Sequence, residues 1–382
     1  MRPSCAGGER GAGLVLALVI LLITGILAAA AASAVKTLMR DSLYQGRALE
    51  AQALAETGGE AALARLSRDR AWRQGFRGKG FSKGSFDVTL SSGPNPVVTA
   101  TGLARPLVPF GRTRRTVSFR VRLLPVPSMP YAAAAEESLL IMAGRAAVDS
   151  YDSRSDKAPA EFGRHGDVAT NRDLAVAGSG EAVLGDATYR TGGEPPPDAV
   201  SGAVQRVLEP FPMPLEDGSA FAEDHDNLSG IAPSALYDPG RRSLTVPAGS
   251  TAAIRSGVYH LASLRVDGTL RARISDGPVV IFVAGYLRVS GAIENPSRIP
   301  ANLILYGVKA GETWTFSGSA PLHGVVYAPL AEVVVGQTVF GALAAKKLSL
   351  LSGSIHYDLA LRGAKSGFPR LVPGTWTAGL RR

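Results

Sequence analysis

The chain has 382 residues, with 41 Lys or Arg against 32 Asp or Glu, and a net charge of +9. Apolar residues make up 46%, enough for a packed core, which excludes disorder as the overall state. Gly is high at 44 residues and charged residues are low at 19%, a balance that favours turns and strands over a helical bundle. The single cysteine, Cys5, excludes an internal disulfide framework, a cysteine-rich zinc site and an iron–sulfur cluster. The five scattered His residues argue against an all-protein catalytic metal centre.

No charge occurs from Gly11 to Val35, and Leu, Ile, Val and Ala dominate Leu14 to Ala34. As a helix this run is about 37 Å long, more than the roughly 30 Å of a bilayer core. It is also longer than a secretory h-region. Residues 1–11 are expected to be a short polar leader and 12–35 a transmembrane helix. A short N-terminal tail and a long C-terminal body predict a single pass with the body outside the cytoplasm. From Lys36 to about Trp72 the sequence is rich in Ala and sparse in Gly and Pro until Gly58-Gly59. Leu38, Leu49, Leu63 and Leu66 contribute to an amphipathic stripe, so the helix is expected to continue.

Three strands follow, Ser85 to Ser91, Val97 to Leu103 and Thr116 to Leu124, each alternating apolar and polar residues. With the second half of the helix they form a unit over 36–124, a small antiparallel sheet on a helix. Thirteen basic residues against Asp69 and Asp87 give Arg65–Leu124 a charge of +11. Such a patch suits headgroups, acidic partners or nucleic acid; nucleic acid is not expected, because aromatic interleaving stops at Phe76 and Phe81.

Residues 125–136 begin with a Pro-rich linker, and the composition then changes. Two or three alternating apolar residues, a small residue and a Gly recur at Leu264–Gly268, Leu287–Gly291, Trp314–Gly318, Glu332–Gly336 and Leu348–Gly353. The intervals between these glycines are 23, 27, 18 and 17 residues. Repeats near twenty residues with Gly turns predict stacked windings, a parallel β-helix over 137–362 with Leu264 and Val266 inward and Arg265 and Asp267 outward. A sandwich, with strands every 8–12 residues, is the competing all-β reading. Within this domain, 192–250 holds nine Pro, and Glu194 to Asp238 contains nine acids against one Arg. It is expected to be a long excursion, part loop and part short helix. Residues 363–382 are expected to be a tail.

Chemistry is sparse. Glu223, Asp224 and Asp226 form the densest group of hard oxygen ligands, but without a calcium-loop spacing. They are weak metal candidates, and a solvated acidic loop is the preferred reading. Asp149, Asp152 and Asp156 read as turn and capping residues, and His323 and His356 as structural histidines on strands. No phosphate loop, nucleophile elbow or zinc motif is present. No catalytic residue, metal or cofactor is therefore assigned.

The run Glu9-Arg10-Gly11-Ala12-Gly13-Leu14-Val15-Leu16, a polar leader closed by Gly before an apolar helix, resembles the signal of type IV pilins, most closely PilX-like minor pilins. The resemblance implies cleavage by a prepilin peptidase between Gly11 and Ala12. Major pilins carry Glu at the fifth mature position, where this chain has Leu16, a departure that resembles tip or accessory subunits. Val148–Ser153, Gly166–Asn171, Ala301–Gly307, Gly324–Pro329 and Ile355–Asp358 resemble a poorly characterised β-helical domain that follows PilX-like N-termini in bacterial envelope proteins. The fold expected is therefore mainly β: a transmembrane, pilin-like α-helix with a small antiparallel sheet, then a right-handed parallel β-helix. The function implied is that of an accessory pilus subunit in assembly or adhesion, held in the inner membrane with its body periplasmic or extracellular. Its partners would be the membrane, other pilin-like subunits and the assembly machinery, with surface polysaccharide or an acidic partner as further contacts. A membrane-tethered carbohydrate-active β-helix and a static adhesive envelope protein are the alternatives.

Overall fold

The structure is a computed structural model, and it describes residues 9–82, 84–93, 95–106, 113–155, 161–216, 218–275, 277–363, 367–371 and 377–379. The chain divides into two compact units. The first comprises Met1–Ala64, Trp72–Val121 and Leu371–Arg382, and the second Arg65–Ala71 and Arg122–Arg370.

One helix, α1 (Glu9–Leu66), runs unbroken for 58 residues. It begins two residues before the expected Gly11 boundary and ends before Trp72. From Leu14 to Gly46 every residue is exposed. Further on, Ala48, Ala51, Leu54, Ala55 and Ala62 are buried, three or four residues apart on one face. The expected stripe holds only in part: Leu66 is fully buried, but Leu38 and Leu49 are about two-thirds exposed (68% and 69%), and most of the packed line is built of small residues. Small side chains let the helix lie close to a sheet. A Cβ on Gly102 would sit 2.6 Å from the Ala55 amide nitrogen, and one on Gly59 would sit 2.9 Å from the Phe119 ring.

That sheet is antiparallel, in the order β1 (Phe76–Phe81), β2 (Gly84–Leu90), β3 (Val97–Ala104), β4 (Arg114–Pro125). Phe86, Val88, Val98, Ala100, Val117 and Phe119 form its buried face. The three expected strands are β2, β3 and β4. The first strand, Phe-Arg-Gly-Lys-Gly-Phe, lacks alternation and forms an exposed edge with a register shift, which is why its sequence does not announce it. Residues 363–382 are not simply a tail: Gly367–Leu371 and Thr377–Gly379 are strands that pair with β4.

The second unit is built almost wholly from parallel pairs. Strand β5 (Ala133–Met142) opens inside the expected linker, and β6 (Ala146–Tyr151) follows. Partner strands lie roughly twenty residues apart in sequence, as in Leu264 beside Leu287 or Val279 beside Leu303. Leu264, Val266, Leu287 and Val289 are buried while Arg265 and Arg288 are exposed. Val279–Val283 and Leu303–Gly307 are buried at every position. Turn glycines stack as well. A Cβ on Gly318 would collide with the Gly291 carbonyl, and one on Gly291 with the Gly268 carbonyl, so the repeat keeps Gly where backbones meet.

The stacking order departs from chain order. From β5 and β6 the chain steps outward through Val168–Thr170 and Ala187–Tyr189 to Val204–Arg206. It reappears at the opposite end, where Tyr237–Asp238 and Ile231–Ala232 close the stack as antiparallel strands. From there it winds back until Val339–Leu350 and Gly353–Asp358 pair with β5 and β6. First and last windings therefore meet in the middle.

This order corrects the expected excursion over 192–250. Only its central part, about 207–230, is a strap, and strands lie on both sides of it. The strap crosses one side of the stack. Asn171 accepts from the Phe211 amide at 2.9 Å and donates to its carbonyl at 3.0 Å. Tyr327 donates to the Pro214 carbonyl at 2.8 Å, and Phe221 stacks on Phe282 at 5.3 Å. Asn227 then pairs with both backbone groups of His260. Each Asn amide mimics a strand neighbour for one residue. Asn171→Ala is expected to lose about 1–2 kcal/mol, because it leaves the Phe211 backbone groups without partners. In hydrogen exchange the Phe211 amide should lose protection while Asn227 still holds His260; unchanged protection at Phe211 would contradict the clip.

Candidate functional site

Three arrangements carry chemistry, and each belongs to a single unit. The first is the bare part of α1. It contains one stretch long and apolar enough to cross a membrane, with a mean hydropathy of 2.9 and no burial against protein. Gly11 and Ala12 lie within the first turns of this helix.

The second is the acidic cluster. Arg122, buried near the end of β4, donates to Asp226 at 2.8 Å and to Asp224. Burial works to lower the Arg122 pKa, but the two carboxylates outweigh it and hold the guanidinium firmly charged. Asp226 also accepts from the Val258 amide at 3.0 Å, and Glu223 pairs with Arg242 at 3.1 Å. Arginines thus take the place a cation would need, and no group of metal-holding residues occurs among the described residues. The expectation of a solvated acidic loop is also corrected for Asp226: it anchors the strap.

The third is a ladder on the parallel stack. Register places His323 beside Phe340, Phe340 beside His356, and His356 beside Asp149. The His323 ring lies over Phe340 at 4.5 Å and 10°. Phe162, from the segment after β6, stacks on His356 at 3.9 Å and 10°. His356 Nδ1 and Asp149 Oδ1 are 2.6 Å apart, both residues buried. A proton held on Nδ1 by this carboxylate leaves the Nε2 lone pair as the basic position. Burial raises the Asp149 pKa, and its bond to His356 opposes the rise. His323 is pushed down to about 4, chiefly by burial and then by Arg298 and His356, and its Nδ1 is buried without a hydrogen-bond partner. Two residues further along the His356 strand, buried Asp358 accepts from the Ser153 amide and hydroxyl at 3.0 and 2.7 Å. The side-chain hydrogen bond of His356 goes to Asp149, and no nucleophilic hydroxyl is bonded to it among the described residues.

Asp149 is therefore a histidine partner rather than a capping residue. Asp152 binds Arg154, and Asp156 lies outside the described residues. No local pattern reveals the Asp149–His356 pair, because the two residues are 207 positions apart.

Residues 288–364 match the family model described as a domain of unknown function (DUF7305), a stretch that includes the windings of His323, Phe340 and His356. No curated protein matches the chain. Among solved structures, the competence-associated pilin ComZ from Thermus thermophilus is similar at 13% identity over 88% of this chain and 98% of that chain. Its TM-score is 0.33, a likeness too weak to decide fold or function.

Proposed function

We propose that this is a membrane-anchored, pilin-like envelope protein that carries a right-handed parallel β-helix outside the cytoplasm. It serves as an accessory subunit of a type IV pilus or related filament, in assembly or surface adhesion. The observation that carries the reading is the division of α1. Its first half is bare, apolar and long enough to cross a bilayer, and its second half packs a line of Ala and Gly on a sheet. The partners are the inner membrane, other pilin-like subunits and the assembly machinery, and the protein has no catalytic step of its own.

The N-terminus of the mature protein tests this. Cleavage at Gly11–Ala12 leaves the helix in the membrane and a chain that starts at Ala12. Gly11→Val, with a branched side chain at the scissile bond, should block it. A start near Val35, or retention of Met1, would leave a secreted or statically anchored protein and remove the pilus reading. Leu16 in place of an acid predicts low abundance in filaments. A tethered glycan-cleaving enzyme is the competing reading, favoured only by the Asp149–His356 pair. It requires release of reducing ends from acidic polysaccharides, abolished by His356→Gln.

A further inference from the structure

Strand alternation turns Asp87, Thr89, Thr99, Thr101, Thr116 and Ser118 away from α1, onto the outer face of the antiparallel sheet. Register aligns them in two rows. Thr89 faces Thr99, which faces Ser118, which faces Thr377; Asp87 faces Thr101, which faces Thr116. The Thr99 and Ser118 hydroxyls are 3.0 Å apart and those of Thr101 and Thr116 are 3.1 Å apart. In each pair one hydroxyl donates to the other, so one proton and several lone pairs remain for a ligand. These side chains, with Phe76, Arg77 and Arg114, line an open concavity of about 650 Å³.

Arg77 on β1 and Arg114 on β4 flank this floor from opposite sides, three strand spacings or about 14 Å apart. Both are exposed, and neither has an ion-pair partner among the described residues. Asp87, the one acid of the floor, already accepts from the Gly78 amide at 2.6 Å. A polar outer face is ordinary for an antiparallel sheet, and Thr suits strands. Neither fact accounts for a concave hydroxyl floor between two unpaired guanidinium groups.

We infer that this concavity binds an acidic oligosaccharide. The hydroxyl rows match the mixed donors and acceptors of sugar rings, and each arginine offers a planar fork to a carboxylate or phosphate. Two charges about 14 Å apart call for an oligomer rather than a single anion. Single-stranded nucleic acid would need stacking platforms. Phe76 is the only aromatic ring in the lining, and Trp72 packs on it at 4.9 Å. A lipid headgroup is out of reach, because Ala51, level with Gly102, lies about 24 Å along the helix beyond Val35. The inference gives the adhesive part of the proposed function a ligand class and rests on that reading only for where the ligand is met.

The test is calorimetric titration of the full chain in detergent micelles with trigalacturonate, with maltotriose and oligothymidylate as controls. Trigalacturonate should bind and weaken with salt. Arg77→Ala and Arg114→Ala should each weaken it about tenfold. Thr99→Val, at a half-buried pair, should weaken it about threefold or more with an unchanged melting temperature. No binding at millimolar trigalacturonate, equal binding by the variants, or equal binding of maltotriose or oligothymidylate would overturn the inference. The mature N-terminus is unaffected by any of these outcomes, so the site can fail while the pilus reading stands.

Discussion

Val289→Asp is expected to lose about 4 kcal/mol or more of stability, while Arg288→Asp, one residue away, stays within about 0.5 kcal/mol. Val289 has no solvent exposure and sits between Val266 and Phe316 on the neighbouring windings, themselves buried. A carboxylate there finds no cation and no donor, because both faces of the contact are hydrocarbon. It must stay protonated or open the stack, and either route is unfavourable. Arg288 points outward beside Arg265 and Thr315. An Asp there meets solvent and one arginine, so the loss is small. In thermal melts of the full chain in detergent, the first variant should melt about 10 °C lower and the second near the wild type. Equal losses would mean that the side chains do not alternate as the register places them.

The contrast between these two positions is legible in the sequence, because alternation and a Gly-closed repeat are local. The repeat follows from backbone contact: Gly268, Gly291 and Gly318 meet at successive turns, where a side chain has no room. What stayed hidden is long-range. Nothing in Val339–Leu350 announces that it pairs with β5, which precedes it by some two hundred residues. The acidic, Pro-rich stretch looked like one loop. Its short strands, such as Tyr237–Asp238, are only two or three residues long and leave no periodic signal.

The candidate sites divide in the same way. The apolar half of α1 was legible from composition. The packed half is only partly legible, because Leu66 is buried as its spacing predicts but most of the contact is made by Ala and Gly. A helix that must lie close to a sheet puts its smallest residues inward and leaves Leu38 and Leu49 outside. The ladder needed register: His323, Phe340, His356 and Asp149 come from four separate strands, and only their pairing makes them one column.

The ladder should also make the protein acid-sensitive. His323 is held near a pKa of about 4, against 6.5 when unfolded. At pH 7 neither state binds a proton at this ring, and its contribution is whole. As pH falls below 6.5 the unfolded chain takes up a proton that the native chain refuses until about pH 4. The unfolded state then binds more protons, so stability must drop across this window. The full difference is worth about 3 kcal/mol by pH 4, trimmed by the partial exposure of the ring. Arg298 and His356 add positive charge on the same side, and the aromatic face of Phe340 gives Nδ1 no hydrogen-bond acceptor. His323→Phe keeps the stacking and removes the titration. Between pH 7 and 4.5 the wild type should therefore lose about 2 kcal/mol more than the variant in urea unfolding, with carboxylate protonation common to both. Parallel pH profiles would show that the native ring accepts its proton as freely as the unfolded one, against the burial that holds its pKa down.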